Sequence, residues 1–221
     1  MLYTHSSPQA LSTWTSDLLF AVCAECRPSE VLLALSRLIR VNDPDILAHG
    51  QRTVRYATLL GKAAGLSDPD VTDLGYAALL HDLGKLTIPC AIVRKRGPLT
   101  ADEYVLVQSH PRAGAELLEA IPFLRVASVW IAHHHERWDG TGYPYGVRDT
   151  YIPFASRILA VADTFDAMTS GRAGHRAMDS ASALRLLRLI AGSQLDPDLV
   201  ELFVRLPLET VSGEPIRQTD R

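Results

Sequence analysis

Ala132-His133-His134-His135-Glu136-Arg137-Trp138-Asp139-Gly140-Thr141-Gly142-Tyr143-Pro144 is the stretch on which the reading of this chain turns. Three consecutive imidazoles run out of an apolar helical pattern into a loop built from Gly, Asp, Thr and Pro. Neighbouring residues on a helix point about 100° apart, so three histidines in a row cannot all cover one apolar face. Packing therefore does not explain them. Ring nitrogens placed where a helix gives way to a loop suit a metal ion, and the loop beside them leaves room for a sizeable ligand.

Outward from this stretch the periodicity is helical, and convincing strand alternation is nearly absent. Upstream, helices are expected over Ser12 to Glu25, and from Pro28 with a stripe of Leu32, Leu35, Leu38 and Ile39. Another is expected over Pro44 to Ala64, and one from Asp68 through Leu80 that stops at Gly84. Ile88 to Pro98, carrying Arg94, Lys95 and Arg96, reads as an irregular connector. Thr100-Ala-Asp-Glu103 is a capping box that launches a helix towards Leu118. Pro122 to His135 reads as helical, followed by the Gly-rich loop to about Ile152. Pro153 to Thr169 reads as a long buried helix, a further helix starts at Ser180 or Ser182, and Asp196-Pro197 opens the last. The expected architecture is all-α, with residues 1–42 as a short helical N-terminal extension, 43–210 as the functional domain and 211–221 as a loose tail.

The 221 residues suffice for one well-buried domain. A net charge of -3 gives no reason to expect DNA or anionic lipid as partner. No apolar run approaches the roughly 18 residues of a spanning helix, and Leu18 to Val22 lacks a basic leader, so a cytoplasmic protein is expected. Cys23 and Cys26 form a Cys-x-x-Cys pair, but no second pair exists and Cys90 is remote, so the spacing reads as incidental.

Six of the eight histidines fall at expected helix ends or beside loops between residues 49 and 135, and His81 is followed directly by Asp82. His5 and His175 stand apart. Asp163 is embedded in the apolar run Ile158-Leu-Ala-Val-Ala-Asp163-Thr-Phe-Asp166, where a carboxylate is costly unless paired, hydrogen-bonded or bound to a metal. Singly, each of these residues has an ordinary structural explanation. Together His49, His81, His110, His134 and His135, with Asp82 and Asp163, exceed what one ion needs, since a single zinc takes four ligands. Asp82 suits a bridge, because its two oxygens can reach different ions. Two such ions clamp a phosphodiester and generate hydroxide from a shared water, and Lys85, about one turn further on, suits charge stabilisation on the phosphoryl oxygens.

His81-Asp82 with upstream His49 and downstream Asp163 resembles the HD superfamily of metal-dependent phosphohydrolases. His81-Asp-Leu-Gly-Lys85, followed by His134-His-Glu-Arg-Trp-Asp-Gly-Thr-Gly-Tyr-Pro144, is similar to its HD-GYP subfamily, and the resemblance covers roughly Asp45 to Phe203. It implies an HD-domain helical bundle that hydrolyses the bacterial second messenger cyclic di-GMP to pGpG or GMP, by metal-activated hydroxide, at a centre of two or three divalent ions. Iron or manganese is expected, with zinc and nickel open. His49, His81, Asp82, His110, His134, His135 and Asp163 match the ligand positions, and His133 falls outside them. Asp45, four residues before His49, is the candidate for a third ion, although the trinuclear relatives use Glu. Asp82, Lys85 and Asp166 are assigned the catalytic work.

Lys85, Gly142, Tyr143, Arg172, His175 and Arg176 are the expected substrate contacts. Tyr143 is placed to stack on a guanine or touch phosphate, while Glu136, Arg137 and Asp139 are expected to brace the loop through ion pairs. After Asp166 the subfamily commonly has Asp-Arg-Pro-Tyr-Arg/Lys, whereas this chain reads Gly171-Arg172-Ala173-Gly174-His175-Arg176. A bidentate arginine–phosphate contact is lost where His175 stands. That departure keeps open a receptor that binds without turnover, or a hydrolase of another cyclic dinucleotide. The resemblance also implies a protein partner at the loop around Tyr143, such as a diguanylate cyclase, and a homodimer is a further expectation.

Overall fold

The computed structural model describes residues 27–95, 97–171 and 177–207. Ten helices are named here in chain order. They are α1 (Pro28–Asn42), α2 (Pro44–Ala63), α3 (Asp68–Leu80), α4 (Cys90–Val93) and α5 (Ala101–Gln108). After these come α6 (His110–Glu119), α7 (Arg125–Ala132), α8 (Phe154–Thr169), α9 (Ser180–Ile190) and α10 (Pro197–Val204). Short 3-10 turns occupy Leu83–Thr87, Pro122–Leu124 and Asp149–Tyr151. Among the described residues no strand forms, and one isolated bridge joins Ala191 to Leu195. The expected helix over Ser12 to Glu25, the pair Cys23 and Cys26, Arg96, and the residues from 208 onward lie outside the described residues; Cys90 is exposed.

The long helices α2 and α8 pack on each other, and α3 packs on α2, α7 and α8. Their shared core holds Leu60, Leu74, Leu80, Ile131, Ile158, Leu159 and Phe165, all essentially without solvent exposure. Tyr56, Phe165 and Phe203 meet edge to face, with Phe165 centroids 5.0 Å from Tyr56 and 5.1 Å from Phe203, the geometry aromatic quadrupoles favour. Helix α1 shares this core through Val31, Leu35 and Ile39.

Helix starts follow the local chemistry. The Asp43 side chain accepts from the backbone of Asp45 and Ile46 at the head of α2, and Ser67 accepts from Asp70 at the head of α3. Thr100 and Glu103 form the capping box of α5, and Asp196 accepts from Asp198 and Leu199 at α10.

Several boundaries differ from the sequence reading. The helix expected from Thr100 to Leu118 is two helices, α5 and α6, parted at Ser109; Pro111 lacks an N–H and crowds the preceding turn. Helix α3 ends at Leu80, not Gly84, and Lys85 rides on a 3-10 turn. Helix α7 stops at Ala132, so the three histidines lie in a turn. The connector after Ile88 contains the one-turn helix α4. Asp179, rather than either serine, caps α9 by accepting from Ser182 N. On α1 the buried stripe is Val31, Leu35 and Ile39, with Leu38 half exposed, because residues four apart share a face while Leu38 points beside it.

One contact sets how closely the parts approach. A Cβ on Gly84 would sit 2.0 Å from the His110 carbonyl oxygen and 2.6 Å from Gly114 N. The 3-10 turn after Asp82 can therefore touch the start of α6 only because residue 84 has no side chain, and that contact brings His110 to Asp82.

Candidate metal centre

Five elements bring the expected ligands into one buried cluster. His49 comes from the second turn of α2, His81 and Asp82 from the end of α3, and His110 from the first residue of α6. His134 and His135 come from the turn after α7, and Asp163 from the middle of α8. His49 Nε2 lies 2.8 Å from Asp163 Oδ1 and 3.2 Å from His81 Nε2. Asp82 sets one oxygen 3.6 Å from His81 Nε2 and the other 3.4 Å from His110 Nε2. The His134 ring stands 5.1 Å from His81, 5.3 Å from His110 and 4.1 Å from His135, centroid to centroid.

The rings are held from behind. His81 Nδ1 donates to the Ala78 carbonyl, His110 Nδ1 to Val107, and His134 Nδ1 to Ile131, at 2.8, 2.6 and 2.6 Å. A carbonyl only accepts, so each bond fixes the tautomer and leaves Nε2 as the lone-pair nitrogen facing the cluster. His49 Nδ1 donates to Asp166 Oδ2 at 2.6 Å, and Asp166 receives Arg52 on both oxygens at 2.7 and 3.0 Å. A carboxylate behind a ligating histidine raises its basicity and fixes its ring.

Burial governs the protonation states. It pushes His134 well below the ordinary histidine range, reinforced by the neighbouring imidazoles of His135, His81 and His110. It brings His135 down to about 3 against the opposing pull of Asp163, and lowers His81 despite Asp82 and Asp163. For Asp82 burial opposes ionisation, but Lys85, His81 and His110 outweigh it and hold the carboxyl well below the usual range. Neutral imidazoles and an ionised carboxylate are the forms that ligate.

Three donor sets, each within 4.8 Å, emerge among the described residues: His49, His81 and Asp163; His81, Asp82 and His134; and His110, His134 and His135. The buried Nε2 atoms of His110 and His134 make no hydrogen bond. Unsatisfied buried polar atoms are rare in folded proteins, and divalent cations would satisfy these two. The residues present fit such ions.

The other expected residues fall into place around this cluster. Lys85 Nζ donates to Asp82 Oδ2 at 2.7 Å. Asp45 is exposed at the head of α2 and lines a cavity of about 750 Å³ together with His49, Arg52, Asp82 and Lys85; it is in none of the three donor sets. His133 turns away, donating to Val129 O and lying 4.8 Å from the Tyr145 ring. Arg172, His175 and Arg176 lie outside the described residues; Gly171, just before them, lines the same cavity.

The loop after His135 folds back beneath it. The Tyr143 ring lies 4.9 Å from the His135 ring, tilted 30°, and Tyr143 N donates to His135 O at 3.2 Å. Burial, then Tyr104, Asp163 and Asp82, raise the Tyr143 phenol, so it stays protonated. A Cβ on Gly142 would come within 2.3 Å of Arg137 N. Arg137 pairs with Asp139 at 2.9 Å. Buried Glu136 instead accepts from Tyr145 N at 2.7 Å, so its bracing is a backbone hydrogen bond rather than the ion pair read from sequence.

Sequence reasoning missed Arg52 and Arg157. Arg157 pairs with Asp196 at 2.6 Å, donates to Ile152 O and faces the Trp138 and Phe154 rings, tying the loop to α8 and the head of α10. Arg52 carried a usable signal, three residues after His49 on the same helical face. Arg157 had none, because its partner is 39 residues away.

A family model described as "HD domain" matches residues 34–199. The chain is 39% identical over 194 residues to the cyclic di-GMP phosphodiesterase response regulator RpfG of Xanthomonas campestris pv. campestris, covering 86% of this chain and 51% of the relative. It is 36% identical over 182 residues to a cyclic di-GMP phosphodiesterase of Thermotoga maritima, covering 81% and 50%. The chain thus spans about half the length of these curated relatives. Among solved structures, a cyclic GMP-AMP specific phosphodiesterase of V. cholerae superposes with a TM-score of 0.63 at 22% identity, covering 83% of this chain and 50% of that one. At that identity the likeness speaks for the fold. No helix among the described residues is long and apolar enough to cross a membrane.

Proposed function

This chain belongs to the HD-domain family, and on that premise we propose that it is a metal-dependent phosphodiesterase that opens a cyclic dinucleotide, with cyclic di-GMP as the first candidate. The observation that carries the reading is Asp82. Its two carboxylate oxygens face different imidazoles, His81 and His110, and His81 and His134 are each shared between donor sets. A single ion has no use for a cluster so extended.

His49, His81 and Asp163 would hold one ion, His110, His134 and His135 a second, with Asp82 between them; Asp45 is the candidate for a third, and iron or manganese suits the mixed nitrogen and oxygen donors. Divalent ions so held supply Lewis acidity and an activated water for in-line displacement at phosphorus. The protein's own groups do the rest. Lys85, anchored on Asp82, presents a cation where negative charge grows on the phosphoryl oxygens. Asp166, with both oxygens engaged by Arg52 and His49, acts through His49 as a positioning residue rather than on the substrate. Tyr143 holds the His135 ring from the loop side.

The names of the curated relatives support cyclic di-GMP, and a 33% identical relative named 3'3'-cGAMP-specific phosphodiesterase 2, from Vibrio cholerae, makes cyclic GMP-AMP the second candidate. The test is turnover by purified protein loaded anaerobically with iron or manganese, its metal content measured and products separated by chromatography. Linear pGpG or GMP from cyclic di-GMP is the expected result. Tight binding without product would replace the enzyme with a receptor, and turnover of cyclic GMP-AMP alone would move the substrate.

A further inference from the structure

The cavity beside the metal centre is not uniform. Its lining joins His49, Asp82 and Lys85 with the apolar side chains of Ile92, Val93 and Leu99 and the cations of the α4 connector, Arg94 and Lys95. Among the described residues four Arg and Lys side chains line it, and three are engaged by carboxylates at close range. Arg52 is held by Asp166, Lys85 by Asp82 at 2.7 Å, and Lys95 by Glu103. Arg94 differs. Its Nη2 donates to the Asn42 carbonyl, while its Nε is 3.7 Å from Asp43 Oδ2, beyond hydrogen-bond reach. Asp43 Oδ1 already caps α2. A guanidinium has five N–H donors, so Arg94 is positioned by one hydrogen bond and a longer ion pair to Asp43 while most of its donors remain, on a side chain that is 56% exposed.

Its place along the site is set by α2. Asp43 precedes His49 by six residues, roughly 9 Å of helix rise. Arg94, bound at Asn42 and beside Asp43, therefore stands roughly that far along α2 from His49, on the scale of a small macrocyclic ligand. Asp43 and Asp45 share that wall, so an anion lodged there without a cation would face two carboxylates.

We propose that Arg94 is a substrate-reading residue that meets the phosphate of the cyclic dinucleotide not undergoing cleavage. This rests on the phosphodiesterase reading given above. A cyclic dinucleotide carries two phosphates across one ring: with one at the metal ligands, the other needs a cation further along the cavity. Arg94 has the donors left to serve it. Charge-assisted hydrogen bonds are the strong class, and partial exposure places this one at the low end of that range.

The test compares wild type, Arg94→Ala and Arg94→Lys, all manganese-loaded, in steady-state turnover of cyclic di-GMP and in calorimetric binding of the same nucleotide. Arg94→Ala is expected to raise KM about tenfold with little change in kcat, and Arg94→Lys to recover most of that loss. The ratio of kcat/KM for cyclic di-GMP to that for bis(4-nitrophenyl) phosphate, which has a single phosphate, should fall with it. An unchanged KM, a loss confined to kcat, or an equal loss in both variants would overturn the proposal, the last pointing to the tie onto Asn42. If wild type binds cyclic di-GMP without turning it over, the tenfold loss read by calorimetry upholds Arg94 while the hydrolase reading falls. If wild type neither binds nor hydrolyses it, both fall together.

Discussion

On the helix side of the centre, His49, His81 and Asp163 project from α2, the end of α3 and α8, helices whose apolar faces share one core. On the loop side, His134 and His135 hang from a turn, and what lies behind His135 is another loop residue, the Tyr143 ring. The helix side is held by the Ala78 carbonyl behind His81, as His134 across the centre is by Ile131, and by the Arg52–Asp166–His49 chain. The loop side depends on a close backbone approach at Gly142, the Tyr145–Glu136 hydrogen bond and the Arg157–Asp196 pair. A ligand carried by a packed helix inherits the rigidity of the core. A ligand carried by a loop needs support built for it. The two sides meet at Asp82.

Removing that junction should have the largest effect. Asp82→Ala is expected to abolish activity and bring metal content to background, read by elemental analysis beside product chromatography; surviving activity would show that the halves work independently. Next comes Asp166→Ala, which takes away the group that orients His49. Metal affinity on the helix side should fall 10- to 100-fold, roughly the effect of losing a carboxylate behind a ligating histidine, with His134 and His135 unaffected. Competition against a chelator measures it.

Gly142→Ala attacks the other side. A Cβ there meets the Arg137 backbone at 2.3 Å, so a loss of about 1–3 kcal/mol in stability is expected, read by urea denaturation. Metal stoichiometry should drop by the loop-side equivalent alone. Full stoichiometry with unaltered stability would show that the loop does not hold His135.

The most gradual effect is in pH. In the metal-free protein the folded-state pKa of His135 is lowered from 6.5 to about 3, and that of His134 is lowered too. Between these limits the unfolded chain holds more protons than the folded one. Stability is therefore fully present above about pH 6.5 and declines as pH falls, by up to about 1.4 kcal/mol per pH unit for each such histidine. His135→Gln should flatten the slope in a pH series of thermal melts, and bound metal should remove it.

By itself the sequence determined the helical class and picked out the residues that the fold gathers into one cluster. The periodic apolar positions of Ile158 to Phe165, the capping box at Thr100 and the density of His and Asp at helix ends are local signals, carried by residues a few positions apart. The pairing of His81 with Asp82 was legible for the same reason. Tertiary structure alone decided which carboxylates serve which role. Asp163 and Asp166 are three residues apart on α8, yet only Asp163 joins a donor set, while Asp166 is taken up by Arg52 from α2. It also brought His110 to Asp82 through the close approach of Gly84 to the start of α6, and set Arg94 on the Asn42 carbonyl beside the cavity. These outcomes depend on contacts between residues tens of positions apart, which no local pattern encodes. The residue types were written in the chain; their division of labour came from packing.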